Sequence, residues 1–253
     1  MTFIREWKLY FIRKIKEAWR NPALLSMSAF ILLMYLFLFA PLLKNLVGMP
    51  GFGSHNVLNT FLPGVAVVLS VYGGAFVGFR LCDEIRQGII ERFRVTPTSR
   101  MAILWGAIAR DVVLVLLQAI VLFLLAIPFG LEINWAGFAV VLVILGMNTA
   151  LFAGFSYAVA LKFQSEDALA PIVQGITQPV VLLGGFLLPM NMAPNWLKVA
   201  AHFDPVYYSV EASRSLMNGD FKAPAVWQVF AITIPLLFLL CRWAAGAFKS
   251  VVR

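Results

Sequence analysis

"ERFRVTPTSR", residues 91–100, lies between two long apolar stretches of a 253-residue chain. It carries Arg92, Arg94 and Arg100, together with Glu91 and a proline between two threonines. Elsewhere charge is scarce: 61% of the residues are hydrophobic and 13% are charged, against roughly a quarter charged in a soluble domain. That contrast marks an all-α integral membrane protein in which charged segments separate the spans.

A bilayer core needs about 20 mostly apolar residues in helix. Six stretches meet this: 23–43, 61–79, 101–127, 135–161, 168–189 and 223–241. The apolar run after the basic N-terminal arm is too long for the core of a signal peptide, so it is read as the first span. The whole of 1–253 is read as one transmembrane domain, and an even number of spans puts both termini on one side.

The lysines and arginines choose that side. Sixteen fall in the N-terminal arm, the segment from Arg80 to Arg110, the connection at Lys162 and the C-terminal tail. Only Lys44, Lys198, Arg214 and Lys222 fall opposite. The positive-inside rule makes the first side cytoplasmic. The net charge of +8 therefore orients the chain and does not call for a nucleic-acid partner.

Two helices are predicted outside the spans on that side. In residues 1–21, Ile4, Trp7, Phe11, Ile15 and Trp19 recur at three- and four-residue steps opposite Arg5, Arg13, Lys16 and Arg20, the pattern of an interfacial helix against membrane lipids. In "DEIRQGIIERFR", residues 83–94, Ile85, Ile89 and Phe93 are four apart with Ile90 beside them. This apolar stripe sits on a helix otherwise charged, with Glu91, Arg92 and Arg94 flanking it. Asp83 and Glu84 open the helix, the arginines close it, and Pro97 stops it. Such a helix fits a groove on a soluble partner or floats at the headgroups.

Polar residues inside spans are the other candidates. Gln174 and Gln178 lie one turn apart in the fifth span, with Thr177 beside them and Pro171 and Pro179 bending the helix. They line a path or join helices. Arg110 and Asp111 are the charged pair within the third span; as sequence neighbours they are expected to point to different sides and not to pair, either snorkelling or contacting cargo. Ser70, Gly74 and Gly78, and Gly146, Ala150, Gly154 and Ala158, form small-residue stripes for close helix packing, within the chain or between two copies. In the 190–222 segment, two short helices are expected around Asp204-Pro205, and Glu211 and Arg214 are spaced to pair.

Little points to an enzyme. His55 and His202 have no metal-ligand or catalytic motif near them, and Cys82 and Cys241 are too far apart in sequence to suggest a metal site. No catalytic, cofactor or metal residues are assigned. A secondary transporter is disfavoured by the lack of two sequence-related halves. No Gly-x4-Gly-Lys phosphate loop occurs, so energy from ATP must come from a partner.

Three segments resemble those of the permease subunits of type-2 ATP-binding-cassette exporters, specifically the daunorubicin-resistance-like permeases. They are "FLPGV" at 61–65, "GIIERFRVTPTSR" at 88–100, and "LLGGFLLPMNMAPNWLKVAAHFDPVYYSVEASRSLMNG" at 182–219. Asp204 stands where such permeases often have Asn, and Thr96 where many have Leu. The resemblance implies that 83–94 is a coupling helix docked on a separate ABC ATPase present in two copies. ATP and Mg would sit on that ATPase and none on this chain. It also implies a second permease copy, identical or related, a location in the bacterial cytoplasmic membrane, and short outer helices that re-enter the leaflet and gate the exit at Glu211 and Arg214. The fifth span, with Gln174, Thr177 and Gln178, would line the path. The implied cargo is an amphipathic drug or lipid-like compound, with a lipid-linked glycan as the alternative.

Overall fold

The computed structural model describes residues 11–12, 34, 37–38, 57–87, 100–186, 190 and 193–251. These residues form helices and turns, with no strand among the described residues. In chain order the helices are α1 (Val57–Ala75), α2 (Val77–Arg86), α3 (Arg100–Ala126), α4 (Trp135–Phe163), α5 (Glu166–Leu183), α6 (Asn195–Ala201), α7 (Pro205–Met217) and α8 (Pro224–Val251).

Among the described residues, four helical runs are long and apolar enough to cross a membrane: Leu58–Arg86, Leu104–Phe129, Trp135–Phe163 and Pro224–Ala244. They match the expected second, third, fourth and sixth spans. The fifth forms a helix, α5, but its 18 residues include Glu166 and Asp167 in the first turn, and it is not among the four. The first span, the interfacial helix of 1–21 and residues 88–94 lie, but for a few positions, outside the described residues.

The second span ends later than expected. α1 and α2 form one run interrupted at Phe76, whose φ of −91° and ψ of 0° break the helix for a single residue. The helix resumes because Val77, Gly78, Leu81 and Cys82 are buried against α4. Asp83, Glu84 and Ile85 therefore close the spanning helix at Arg86 and do not open a separate helix at residue 83.

α4 is the axis of the packing, touching α1, α2, α3, α5, α7 and α8. Asn134 caps its start by accepting the Gly137 N–H, and Gln164 ends it in the left-handed region at φ 51°. The stripes of small residues serve packing within the chain. A methyl group added at Gly74 would lie 2.5 Å from the Thr149 carbonyl oxygen and 2.9 Å from the Ala153 nitrogen. One at Gly78 would meet Ser156 at 2.5 Å. The Ser156 hydroxyl accepts from Gly78 N–H and donates to the Ala75 carbonyl, so it fills the break at Phe76. In water the broken turn could be solvated; in a bilayer a side chain must do this.

At the end bearing α6 and α7, the upper end, Asn59 exchanges two hydrogen bonds with the Glu132 backbone, at 3.0 and 3.2 Å. Trp135, Trp196 and Trp227 are exposed there, as expected of an aromatic belt at a membrane interface. α6 and α7 are the two short helices expected around Asp204-Pro205.

Gly74→Ala should lower thermal stability by about 1–3 kcal/mol, because backbone atoms of α4 must move. Gly175→Ala, where nothing lies within 4 Å, should be neutral or slightly stabilising, as alanine favours helix. Thermal unfolding of both variants in detergent checks the contrast; equal losses would mean that α1 and α4 are not in backbone contact.

Candidate transport face

α5 is held by a narrow seam. Leu169, Val173, Thr177 and Val181, four residues apart, are its buried positions. Gln174, Gly175, Ile176 and Gln178 are exposed on the other side. Thr177 thus faces inward, its hydroxyl buried without a hydrogen-bond partner, and is separated from the two glutamines with which it was grouped. The reason is helical geometry: Gln174 and Gln178 repeat at four residues, and Thr177 falls into the register of the apolar seam.

The exposed side of α5 meets an aromatic ladder on α1–α2. The Tyr72 hydroxyl donates to Gln178 Oε1 at 2.8 Å. Tyr72 stacks on Phe76 and Phe76 on Phe79, each pair with ring centroids 5.9 Å apart. An exposed ring, two half-buried rings and an exposed amide are thereby brought together on one side of α1–α2 and α5.

Below the ladder is a charge cluster joining three helices. Asp111 Oδ1 on α3 lies 3.3 Å from Nη1 of Arg80 on α2 and 3.3 Å from Nη1 of Arg110. Asp111 Oδ2 accepts from the hydroxyl of Tyr157 on α4 at 2.7 Å. Arg110 and Asp111 do pair, contrary to the expectation from their adjacency. Their backbones diverge, but the long arginine side chain folds back to the carboxylate, because both are buried, at 5% and 3% exposure, where no water competes. Tyr157 and Ser156 carried no signal in the sequence; both look like ordinary residues of an apolar helix.

At the lower end Arg86 Nη1 reaches Glu166 Oε1 at 2.9 Å, tying the last turn of α2 to the first turn of α5. Ile85 is half-buried and packs against the core. Ile89, Ile90, Glu91, Arg92, Phe93 and Arg94 lie outside the described residues.

At the upper end Arg214 acts as a clasp. It donates to Thr60 O at 2.9 Å, to Gly185 O at 2.9 Å and to Phe186 O at 3.1 Å. The expected pair with Glu211 forms at 3.2 Å. One side chain on α7 thus binds the top of α1 and the turn after α5. Desolvation pulls the guanidinium below its ordinary value, against the opposing charge of Glu211. Asp204 caps α7 by accepting the Val206 N–H at 2.9 Å, while its Oδ2 is buried without a hydrogen-bond partner. Beside it, His202, Tyr207 and Tyr208 form a ring cluster. Among the described residues there is no group of histidine, cysteine and acidic side chains suited to a metal.

The family model described as "ABC-2 type transporter" matches residues 5–218. A transport permease, ycf38, of Cyanophora paradoxa is 24% identical over 85% of this chain and 75% of its own length. A daunorubicin resistance ABC transporter permease of Streptomyces coeruleorubidus is 26% identical over 76% of this chain and 66% of its own. A Mycobacterium tuberculosis protein named as a doxorubicin resistance ABC transporter permease is 24% identical over 67% of this chain and 62% of its own.

Burial pushes the Asp204 carboxyl, which lies outside the spanning helices, up to about 7 from an ordinary 3.8, although the Val206 and Tyr207 amides favour its charge. The folded chain therefore holds a proton that the unfolded chain releases, and this contribution to stability, complete below about pH 4, fades until about pH 7. Asp204→Asn keeps the cap and removes the titration. The variant should gain thermal stability relative to the parent as pH rises from 5 to 7, with a constant difference above that. A difference independent of pH would show that Asp204 is not a buried acid.

Proposed function

The chain belongs to the ABC-2 type transporter family, and from that membership we propose that it is the membrane-spanning permease subunit of an ATP-driven exporter. Its cargo is an amphipathic drug or lipid-like compound, taken from the cytoplasm or the inner leaflet. The observation that carries this reading is the face on which the exposed Phe76, Gln174 and Gln178 lie with the half-buried Tyr72 and Phe79. A helix turned wholly to lipid has no use for two amides, whereas rings beside amides suit a compound that is partly apolar and partly polar. The drug-resistance names of two relatives agree with such a cargo.

One such face does not enclose a path, so a second permease copy, identical or related, supplies the opposite wall. Energy comes from a separate ABC ATPase in two copies, which holds the ATP and Mg; this sequence has no phosphate loop of its own. Of the segment 83–94, Ile85 packs against the core, and the stripe at Ile89, Ile90 and Phe93 docks on that ATPase. The Arg86–Glu166 pair carries its displacement to the foot of α5, whose narrow seam and two prolines allow it to pivot. Arg214 and Glu211 hold the upper end and act as the outer gate. In this reading the upper end is extracellular, both termini are cytoplasmic, and the membrane is the bacterial cytoplasmic membrane.

Ile89→Asp combined with Phe93→Asp places two charges on the docking stripe. The double variant should insert and keep its thermal stability but lose co-purification of its ATPase partner. A variant that still co-purifies the ATPase and still couples hydrolysis to cargo would move docking elsewhere and remove this assignment.

A further inference from the structure

We propose that Arg80, Arg110 and the ring ladder form a binding site for a membrane amphiphile with an anionic head, taken from the leaflet at the lower end. The inference rests on the transport reading for the fate of this ligand, but the site is argued from its charge balance. Two guanidiniums share one carboxylate. Both lie 3.3 Å from the same oxygen of Asp111, and the second oxygen is engaged by Tyr157. Among the described residues no other ion pair reaches either arginine. Arg110 Nε, on a side chain that is almost wholly buried, has no hydrogen-bond partner. Among the described residues two guanidiniums thus face one carboxylate, and Arg110, the buried one of the two, is costly to hold there until a further anion joins the pair.

The position of Arg80 says how that anion arrives. Its side chain is 36% exposed, so the cluster opens to the face and is not sealed. Phe79, the last ring of the ladder, precedes Arg80 directly in α2. Arg86, at the end of α2, lies six positions further on, which is ~9 Å along a helix, near headgroup level on that side. A phosphate, sulfonate or carboxylate head would take the free guanidinium donors in charge-assisted hydrogen bonds. The apolar body would lie along Phe79, Phe76 and Tyr72, with Gln178 at the upper end of the ladder. A soluble anion would leave the rings unused. A cationic amphiphile, although rings attract cations, would add a third positive charge beside two arginines. The cargo class selected here is therefore anionic, which narrows the drug-or-lipid alternative toward lipid-like acids.

The test uses the purified full chain in detergent, with thermal unfolding followed as lipid is titrated. Three probes are compared: dioleoylphosphatidylglycerol, dioleoylphosphatidylcholine with the same chains, and inorganic phosphate at matched ionic strength. Phosphatidylglycerol should raise the unfolding midpoint, and the other two should leave it unchanged. Arg80→Gln should weaken the apparent affinity for phosphatidylglycerol about tenfold, the scale of one charge-assisted hydrogen bond, with a lipid-free midpoint close to that of the parent. Phe76→Ala, at an exposed position, should weaken it also, and serves if Arg80→Gln does not fold. Equal shifts from the two lipids would overturn the proposal. So would a shift reproduced by phosphate alone, which would indicate a soluble anion, or phosphatidylglycerol binding that survives both substitutions. Selective binding to a chain that shows no transport when reconstituted with its ATPase would count against the transport reading while upholding this site.

Discussion

The backbone contact between α1–α2 and α4 is the constraint on which the rest of the structure depends. Gly74 and Gly78 let the two helices approach until carbonyl and amide atoms touch, and the Ser156 hydroxyl enters the break at Phe76. In a bilayer the apolar effect does not draw helices together, so close packing of small residues and a few internal hydrogen bonds must do it. Fixing α1–α2 on α4 has two further effects. It brings Arg80 and Tyr157 to Asp111 of α3, so three helices meet at one carboxylate. It also turns Phe76 outward, beside the half-buried Tyr72, on the face shared with α5.

Against that rigid frame α5 is attached differently. One residue per turn holds it by packing, and three polar ties hold it along its length: Arg86–Glu166 at the foot, Tyr72–Gln178 in the middle, and Arg214 on the turn above. Arg86 is more than half exposed and surface ion pairs contribute about 0–1 kcal/mol, so the foot is the weaker tie. The clasp at the top, with four acceptors on one buried guanidinium, is much harder to open. A helix loose below and fixed above agrees with the proposed drive from an ATPase at the lower end, with an upper end that yields last.

Much of this was legible in the sequence. Apolar length alone located the four spanning helices, because a bilayer imposes that length on any chain that crosses it. Spacing alone located the Glu211–Arg214 pair and the short helices around Asp204-Pro205. What was not legible depended on partners distant in sequence. The break at Phe76 carries no proline, and it is stable only because Ser156, 80 residues away, completes its hydrogen bonds. The Arg110–Asp111 pair was misread because adjacency fixes where backbones point but not where a long side chain ends. Thr177 was grouped with the glutamines by proximity, yet the register of the buried seam takes it to the other side of the helix. Apolar length ends the second span at residue 79, before Arg80, whereas the helix itself runs on to Arg86.

In the proposed cycle α5 moves against a fixed frame when the ATPase hydrolyses ATP. Spin labels at Ile176 on α5 and Val121 on α3, both exposed, report that distance directly. Labels at Val121 and Val143 on α4, also exposed, report the frame. Both are measured by electron–electron double resonance in the assembled complex, first without nucleotide and then trapped with ATP and vanadate. The account predicts a changed Val121–Ile176 distance and an unchanged Val121–Val143 distance. An unchanged Val121–Ile176 distance, in a complex shown to hydrolyse ATP, would contradict it.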